Sequence, residues 1–93
     1  MKVRFSSQAE EDLLNAIRHI AADSPRNARA VALRVREAAE KLGASPRIGR
    51  VGRVKGTLER PVSRTSYLLV YRLHENEVQI LRILHGRQDW PAR

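Results

Sequence analysis

The sequence predicts an α+β fold: a short N-terminal strand, an antiparallel helical hairpin, then a three-stranded antiparallel sheet. Before residue 43, apolar residues recur at helical spacing through two segments that a Ser-Pro pair separates. After residue 66, two runs rich in aliphatic and aromatic side chains flank Glu75-Asn76, a pattern typical of a tight β-hairpin. The 93 residues allow one domain, 1–93.

The first strand and helix are predicted from the opening residues. Lys2–Phe5 is a short strand candidate, and Ser7 with Glu10 then forms a capping box in which Ser7 is the N-cap. The acidic side chains of Glu11 and Asp12 are explained by capping and by the helix dipole. The apolar positions of this helix recur every three or four residues: Ala9, Leu13, Ile17, Ile20 and Ala21.

The second helix has clear signals at both ends. Ser24 is the predicted N-cap and Pro25 suits the first helical position, because proline has no N–H to leave unpaired. The helix is expected to run to about Leu42 and to stop at Gly43. Its buried stripe comprises Ala28, Val31, Val35, Ala38, Ala39 and Leu42. Its arginines lie mostly off that stripe and are interpreted as a solvated face: Arg26, Arg29, Arg34 and Arg36.

A basic loop and three strands complete the predicted fold. The loop at 44–53 lacks the Gly-Lys-Ser/Thr ending of a phosphate-binding loop, so its glycines are assigned to turns. A strand is expected at about 54–59. Because proline cannot donate to a sheet ladder, this strand either ends at Pro61 or lies at an edge of the sheet. The strongest strands are 67–73 and 78–84.

The predicted register decides which side chains share a face. A tight turn at Glu75-Asn76 places Tyr71 opposite Ile80 and, by extension, Thr65 opposite Gly86. One face then carries Tyr67, Leu69, Tyr71, Val78, Ile80 and Leu84, with Arg82. The other carries Leu68, Val70, Leu81 and Ile83, with Arg72, Gln79 and His85. Both faces are largely apolar, so we expect helices on one side and either cover or a partner-binding patch on the other.

Composition limits the function classes. The net charge is +8, and 15 of the 18 basic residues are Arg, whose planar fork suits carboxylate and phosphate. This charge indicates nucleic acid, a ribosome or an acidic protein as partner; the alternative is a solubilising surface. There is no Cys, and the three His lack metal-ligand spacing, so we expect no disulfide, metal or cofactor. No apolar run reaches membrane-spanning length, which predicts a cytoplasmic protein without a membrane partner.

The polar side chains of the C-terminal third are the candidates for function. With the register above, Arg64, His85 and Arg87 come near one end of the sheet, where Arg could bind a phosphodiester and His could act as general acid or base. The alternative interpretation makes His85 a partly buried residue at a sheet end and Trp90 an anchor for the tail. The full candidate set is Lys55, Arg60, Arg64, His85, Arg87 and Trp90.

Five segments, spread over nearly the whole chain, carry a family resemblance: Ala-Glu-Glu-Asp-Leu at 9–13, Pro-Arg-Ile-Gly-Arg at 46–50, Gly-Thr at 56–57, Tyr-Leu-Leu-Val-Tyr-Arg at 67–72 and Ile-Leu-Arg-Ile-Leu-His-Gly-Arg-Gln-Asp-Trp at 80–90. In this order and at this spacing, the chain resembles the RelE/ParE superfamily of bacterial toxin–antitoxin toxins. The resemblance implies the same order of elements and a small cognate antitoxin that wraps the toxin. One segment departs from the common pattern: Leu58 stands where many members have Arg, and Pro61 interrupts the strand.

The superfamily divides by target, and the tail at 84–90 is more similar to its ParE-like members. Those members poison DNA gyrase, which implies that this chain traps the cleaved-DNA complex of gyrase without catalysis of its own. Arg64, His85, Arg87 and Trp90 are then expected to contact the target or the antitoxin. The alternative is a RelE-like, ribosome-dependent mRNA endonuclease using Lys55, Arg64, His85 and Arg87. A third interpretation is a non-toxic homologue that only binds an antitoxin.

Overall fold

The α+β prediction is confirmed by the computed structural model, which describes residues 1–91. The predicted domain extends to residue 93, and its last two residues lie outside the described part. The elements are β1 (Lys2–Phe5), α1 (Ser7–Ala21), α2 (Pro25–Ala44), β2 (Arg50–Val51), β3 (Leu58–Pro61), β4 (Tyr67–His74) and β5 (Glu77–His85).

The sheet is larger than predicted and is mixed. Its strand order is β1-β5-β4-β3-β2, in which β1 runs parallel to β5 and the other neighbours are antiparallel. The sequence predicts β1 but gives it no partner. Because its backbone N–H and C=O groups need hydrogen bonds, β1 pairs with the outer side of β5, where Phe5 lies opposite Ile80.

The start of α1 lies one residue earlier than predicted. The N-cap is Ser6 rather than Ser7: the Oγ of Ser6 accepts a hydrogen bond from the backbone N of Ala9 at 3.0 Å. The same hydroxyl donates to the backbone O of Leu81 at 2.9 Å. Ser6 therefore caps the helix and also ties its first turn to β5, a tertiary contact that no local capping pattern contains.

The end of α2 also differs from the prediction, whereas its start is confirmed. Ser24 is the N-cap and Pro25 is the first helical residue. The helix continues through Gly43 to Ala44, so the predicted stop at Gly43 is wrong. The amino group of Met1 donates to the backbone O of Gly43 at 2.6 Å, and a Cβ at this glycine would lie 2.8 Å from the O of Met1. Gly43 thus permits a close approach to the chain's start.

The third strand is shorter and later than the predicted 54–59. Residues 54–57 form a turn closed by the backbone N of Thr57, which donates to the O of Val54 at 3.1 Å. The strand β3 begins at Leu58 and ends at Pro61, which is the first of the two arrangements expected for this proline. Glu59 on this strand is 1% exposed, and the guanidinium of Arg53 neutralises it at 3.3 Å.

The β4–β5 hairpin follows the predicted register only up to a bulge. Its turn is at Glu75-Asn76, both with positive φ, and Tyr71 lies opposite Ile80 as predicted. The next pair is Val70 with Arg82, so one residue of β5 has no partner. This shift continues along the hairpin, which makes the predicted pairing of residues 65 and 86 wrong.

The bulge exchanges the faces of the last residues of β5. Ile83 and His85, predicted with Leu68 and Val70, lie instead on the face of Leu69 and Tyr67. Arg82 and Leu84 move to the opposite face. The core on the helix side joins α1 and α2 to the sheet through Ala9, Val35, Ala39, Leu42, Val62, Leu69, Tyr71, Val78, Ile80 and Ile83. A smaller cluster of Leu68, Val70 and Leu84 lies on the other face.

The loop after α2 is held to the sheet by one tyrosine. The hydroxyl of Tyr71 donates to the backbone O of Pro46 at 2.7 Å and accepts from the N of Gly49 at 2.9 Å. Burial raises the pKa of this hydroxyl above its usual range, so it keeps the proton that it donates. The segment that precedes β2 is thereby fixed to β4.

Candidate functional site

The start of β4 lies beside the end of β5. At this point, on the helix side of the sheet, His85 and Arg64 line one cleft. His85 is the last residue of β5, and its ring meets that of Tyr67 edge-on, with centroids 5.5 Å apart and an angle of 82°. Arg64 lies in the β3–β4 turn with φ of 62°, a conformation that bulky residues rarely adopt. Both residues line a cleft with Asn27, Val31 and Arg34 of α2.

Short-range hydrogen bonds order the segment after β5. The backbone N of Arg87 donates to Nδ1 of His85 at 3.1 Å, and the N of Gln88 donates to the O of His85 at 2.9 Å. Nδ1 is therefore an acceptor, which places the proton of the neutral ring on Nε2. The side chain of Arg87 is exposed. The ring of His85 is half-buried and oriented, as needed for a ligand contact through Nε2.

Trp90 lies on the opposite face of the sheet from His85. Its side chain packs on the cluster of Leu68, Val70 and Leu84, whose exposures are 5%, 0% and 1%. The indole Nε1 is buried and has no hydrogen-bond partner among the described residues. These surroundings match the anchor interpretation, in which Trp90 holds the tail against the sheet. The same face is thus covered here by the chain itself.

Arg82 joins Trp90 to the first helix. Its guanidinium carbon is 5.2 Å from the centroid of the Trp90 ring, within cation–π range. Its Nε and one terminal nitrogen donate to the carboxylate of Asp12 at 2.8 and 3.1 Å. Asp12 also accepts from the backbone N of Ile83 at 3.0 Å. The sequence-based role of Asp12 in helix capping therefore gives way to a role as partner of β5.

The charge state of Asp12 follows from these contacts. Burial on its own would raise the pKa of this carboxyl. Hydrogen bonds from Arg82, from the backbone of Ile83 and from Gln8 outweigh that effect and hold the pKa below the ordinary value of 3.8. The same pairing raises the pKa of Arg82. Asp12 and Arg82 therefore form a charged pair throughout the neutral range.

The six candidates do not form one cluster. Arg60, on β3, is half-buried and lines a second cleft with Arg64. Lys55 lies three residues before β3 and therefore at the opposite end of that strand from Arg64. The register confirms the separation, because Leu58 pairs with Tyr71 whereas Pro61 pairs with Leu68. Of the four residues in the nuclease interpretation, Lys55 therefore does not lie at the end of the sheet that holds His85.

Two basic residues of α2 were missed as site residues. Arg34 lines both clefts, and Lys41 lines the one that contains Arg60. From the sequence, Arg34 was expected on a solvated face, and Lys41 was not among the candidate residues. The signal was their seven-residue spacing, which places both on the same side of α2 as Ala38. The helical pattern does not show what this side of α2 faces, because the cleft is completed by the β3–β4 turn.

A separate apolar groove lies between β1, α1 and α2. Its volume is about 600 Å³, and its apolar lining includes Phe5, Leu13, Ile17 and Ala32. Leu14 borders this groove with 52% of its surface exposed. Charged residues stand at its edges: Glu10, Arg36 and Glu40.

Within residues 1–91, neither helix is long and apolar enough to cross a membrane.

Both the sequence and the fold of this chain are similar to those of known proteins. The sequence model of the family described as "ParE toxin of type II toxin-antitoxin system, parDE" matches residues 3–90. This chain belongs to the ParE toxin family. It is also 32% identical over 90 residues to the protein named "Putative toxin Y4kP" of Sinorhizobium fredii, an alignment that covers 97% of this chain and 93% of the relative.

Two solved structures share the fold. The chain is similar to one in the chromosomal ParDE toxin–antitoxin system of P. aeruginosa, with a TM-score of 0.81 and 25% identity over 91% of this chain and 95% of the other. It is also similar to a chain in the RelBE2 toxin–antitoxin complex of Mycobacterium tuberculosis. That match has a TM-score of 0.58 and 32% identity, over 90% of this chain and 95% of the other. Both support the predicted RelE/ParE membership.

Proposed function

We propose that this ParE-family protein is a toxin that inhibits DNA gyrase by binding and trapping its cleaved-DNA complex. The observation that supports this function most is the family match, which spans both helices, the sheet and the tail up to Trp90. The proposed contacts with the target are Arg64 and His85 in the cleft, together with the exposed Arg87. Trp90 contributes by fixing the tail that carries Arg87.

The geometry favours binding over nucleolytic catalysis. Lys55 is separated from Arg64 by the length of β3, so the full set of four residues in the nuclease interpretation does not converge on one phosphodiester. General acid–base catalysis needs its groups within hydrogen-bond reach of the reacting atoms. A surface that binds a target and holds it in one state needs no such convergence.

We further propose that a cognate antitoxin occupies the apolar groove between β1, α1 and α2. Both structural relatives are known from toxin–antitoxin systems. The groove offers the apolar lining that an amphipathic helix requires, and Leu14 at its border is more exposed than a leucine in a closed core. The basic surface of the chain would attract an acidic partner.

A plasmid assay with purified gyrase, ATP and this protein tests the target. Linear DNA released by denaturant and protease is the expected product, and it should be absent when gyrase is left out. A parallel arm adds the protein to a translation reaction with a defined mRNA. Site-specific mRNA cleavage without gyrase-dependent linear DNA would overturn the gyrase assignment in favour of the RelE-like function. A folded protein that is inactive in both arms would favour the non-toxic homologue.

A matched pair of variants tests the antitoxin groove. Leu14→Arg places a charge at the border of the groove, whereas Leu33→Arg makes the same change at a residue of α2 that is 57% exposed and does not line the groove. The neighbouring gene's product, purified with the toxin, serves as the partner. Leu14→Arg should weaken its binding at least about tenfold, since a charge would be buried against apolar surface. Equal binding by the two variants would contradict the location.

A further inference from the structure

A continuous basic cleft runs along one side of α2. Its first lobe, of about 410 Å³, lies between α2 and the β3–β4 turn and includes Arg34, Lys41, Arg60 and Arg64. Its second lobe, of about 480 Å³, lies beside the first and ends at Tyr67 and His85. Arg34 and Arg64 line both lobes, so they form the boundary at which the two join.

The charges in this cleft are not neutralised by the protein. Within residues 1–91, none of Arg34, Lys41, Arg60 and Arg64 has a carboxylate oxygen within 4.0 Å. Among the described acidic residues, Glu37 alone lines the first lobe and none lines the second. Four cations therefore face one carboxylate, in a concave site where the charge is concentrated.

Four arginines elsewhere in the described residues have carboxylate partners, in contrast to the three arginines and one lysine of the cleft. Arg82 is paired with Asp12, Arg50 and Arg53 with Glu59, and Arg4 with Glu77. Half-burying an arginine without a counter-ion is unfavourable, because desolvation weakens the charge's interaction with water. Arg34 and Arg60 are nevertheless half-buried in the cleft. An arrangement of this kind is stabilised by an anion that binds there.

We propose that this cleft binds the phosphodiester backbone of one strand of DNA. Cations placed one after another along a groove match the repeated charge of such a backbone better than a lone phosphate or carboxylate. Hydroxyl and amide groups beside them supply further donors to phosphate: Ser63, Ser66 and Asn27. The Tyr67–His85 pair at the end of the second lobe offers aromatic surface beside the strand.

The choice of DNA rests on the proposed function, because gyrase in its cleaved complex presents DNA. The cleft would then let the toxin hold the target's DNA as well as the target protein. The test is nevertheless carried out without gyrase, so that the two proposals can fail separately. The probe is a fluorescein-labelled 20-nucleotide DNA strand, and the readout is fluorescence anisotropy across a salt series.

Two double variants with the same net charge separate the cleft from general basicity. Arg34→Glu with Arg64→Glu changes the boundary of the two lobes, and Arg29→Glu with Arg72→Glu changes exposed residues that line neither. Each pair replaces two positive by two negative charges and so lowers the net charge from +8 to +4. Arg34→Gln with Arg64→Gln, and the corresponding Gln control, replace them if a Glu variant fails to fold.

The cleft variant should bind DNA at least about tenfold more weakly than the control at 100 mM salt, and its salt slope should fall by about 0.7 for each phosphate that it no longer binds. Equal weakening in the two variants would overturn the proposal, because net charge alone would then explain the binding. Loss of antitoxin binding with unchanged DNA binding would also overturn it, and would assign the cleft to an acidic protein segment. Binding to the matching RNA strand alone would overturn the choice of DNA.

The gyrase assay keeps the two proposals distinguishable. Cleft-dependent DNA binding without gyrase-dependent linear DNA would overturn the proposed function and leave this inference standing. Gyrase-dependent linear DNA from a protein that binds no DNA strand would overturn only the inference.

Discussion

The two faces of the sheet near the end of β5 use arginine in opposite ways. Arg82 leaves β5 on the face that Trp90 covers, and it is held between the ring of Trp90 and the carboxylate of Asp12 on α1. On the helix side, Arg64 and Arg34 border a cleft without a carboxylate partner among the described residues. The first arrangement stabilises the fold, since its charges satisfy each other. The second leaves charge for a ligand, so the comparison distinguishes structural from functional arginine in a chain rich in it.

The largest effect should come from Asp12→Ala. The change leaves the guanidinium of Arg82 and the backbone N of Ile83 without their acceptor in a site where the Asp12 side chain is only 10% exposed. We expect a loss of about 2–4 kcal/mol in the free energy of unfolding, measured by urea denaturation. Asp23→Ala, at an exposed residue between the helices, is the control and should change stability by less than about 0.5 kcal/mol. Similar values for the two variants would contradict the structural role of the pair.

Trp90→Ala should have the next largest effect. The change uncovers Leu68, Val70 and Leu84 and removes the cation–π contact with Arg82. Because Trp90 is half-buried rather than enclosed, we expect a loss of about 1–3 kcal/mol, less than for tryptophan in a closed core. Arg87→Ala, in the same tail but exposed, should unfold at the wild-type urea concentration. If Trp90→Ala does so too, the tail does not cover the sheet as described.

Acid should selectively reduce the contribution of Asp12 to the stability of the fold. The pKa of Asp12 lies below its ordinary value of 3.8 in the folded protein, so the unfolded chain binds this proton more readily. The resulting stabilisation is complete at a pH above the pKa that Asp12 has in the unfolded chain. It is lost as the pH falls from about 5 through the pKa that Asp12 has in the folded protein. Asp12→Asn should therefore lose less stability than wild type between about pH 5 and pH 2. Parallel curves for the two proteins would show that Asp12 does not titrate with folding.

The smallest effect on stability is expected at the cleft. Arg64→Ala removes an exposed cation without a partner carboxylate, so the free energy of unfolding should change by less than about 0.5 kcal/mol. The variant also removes a positive charge that shares the cleft with Arg34 and Arg60, which reduces the repulsion between like charges. A loss above about 1.5 kcal/mol would show that Arg64 stabilises the fold and would remove the distinction between the two faces.

The order of elements was predictable from the sequence because the signals that define it are local. The capping of α2 by Ser24 and Pro25, the stop at Pro61 and the turn at Glu75-Asn76 each depend on a few neighbouring residues, and the structure has all of them. The N-cap of α1 was predicted at Ser7 because Glu10 follows it at the spacing of a capping box. A contact with β5, distant in sequence, selects Ser6 instead.

The composition of the candidate site was less predictable, because it depends on one unpaired residue of β5. A bulge changes which side chains share a face, and a sequence shows this change only when one face is apolar and the other polar. At 80–84 both faces are apolar, so the pattern does not reveal the bulge. Without the bulge, His85 would face away from the helices, and its grouping with Arg34 could not arise. The Asp12–Arg82 pair was equally hidden, since 70 residues separate its members.

The gyrase cleavage assay with one folded site variant tests the account most directly. Arg64→Ala combined with His85→Gln changes the helix-side cleft and leaves Asp12, Arg82 and Trp90 intact. The wild-type protein should produce linear plasmid that requires gyrase, and the double variant, unfolding at a similar urea concentration, should need at least about tenfold more protein for the same product, as expected when binding loses about 1.4 kcal/mol. A folded double variant as active as wild type would contradict the assignment of the cleft as the target-binding site.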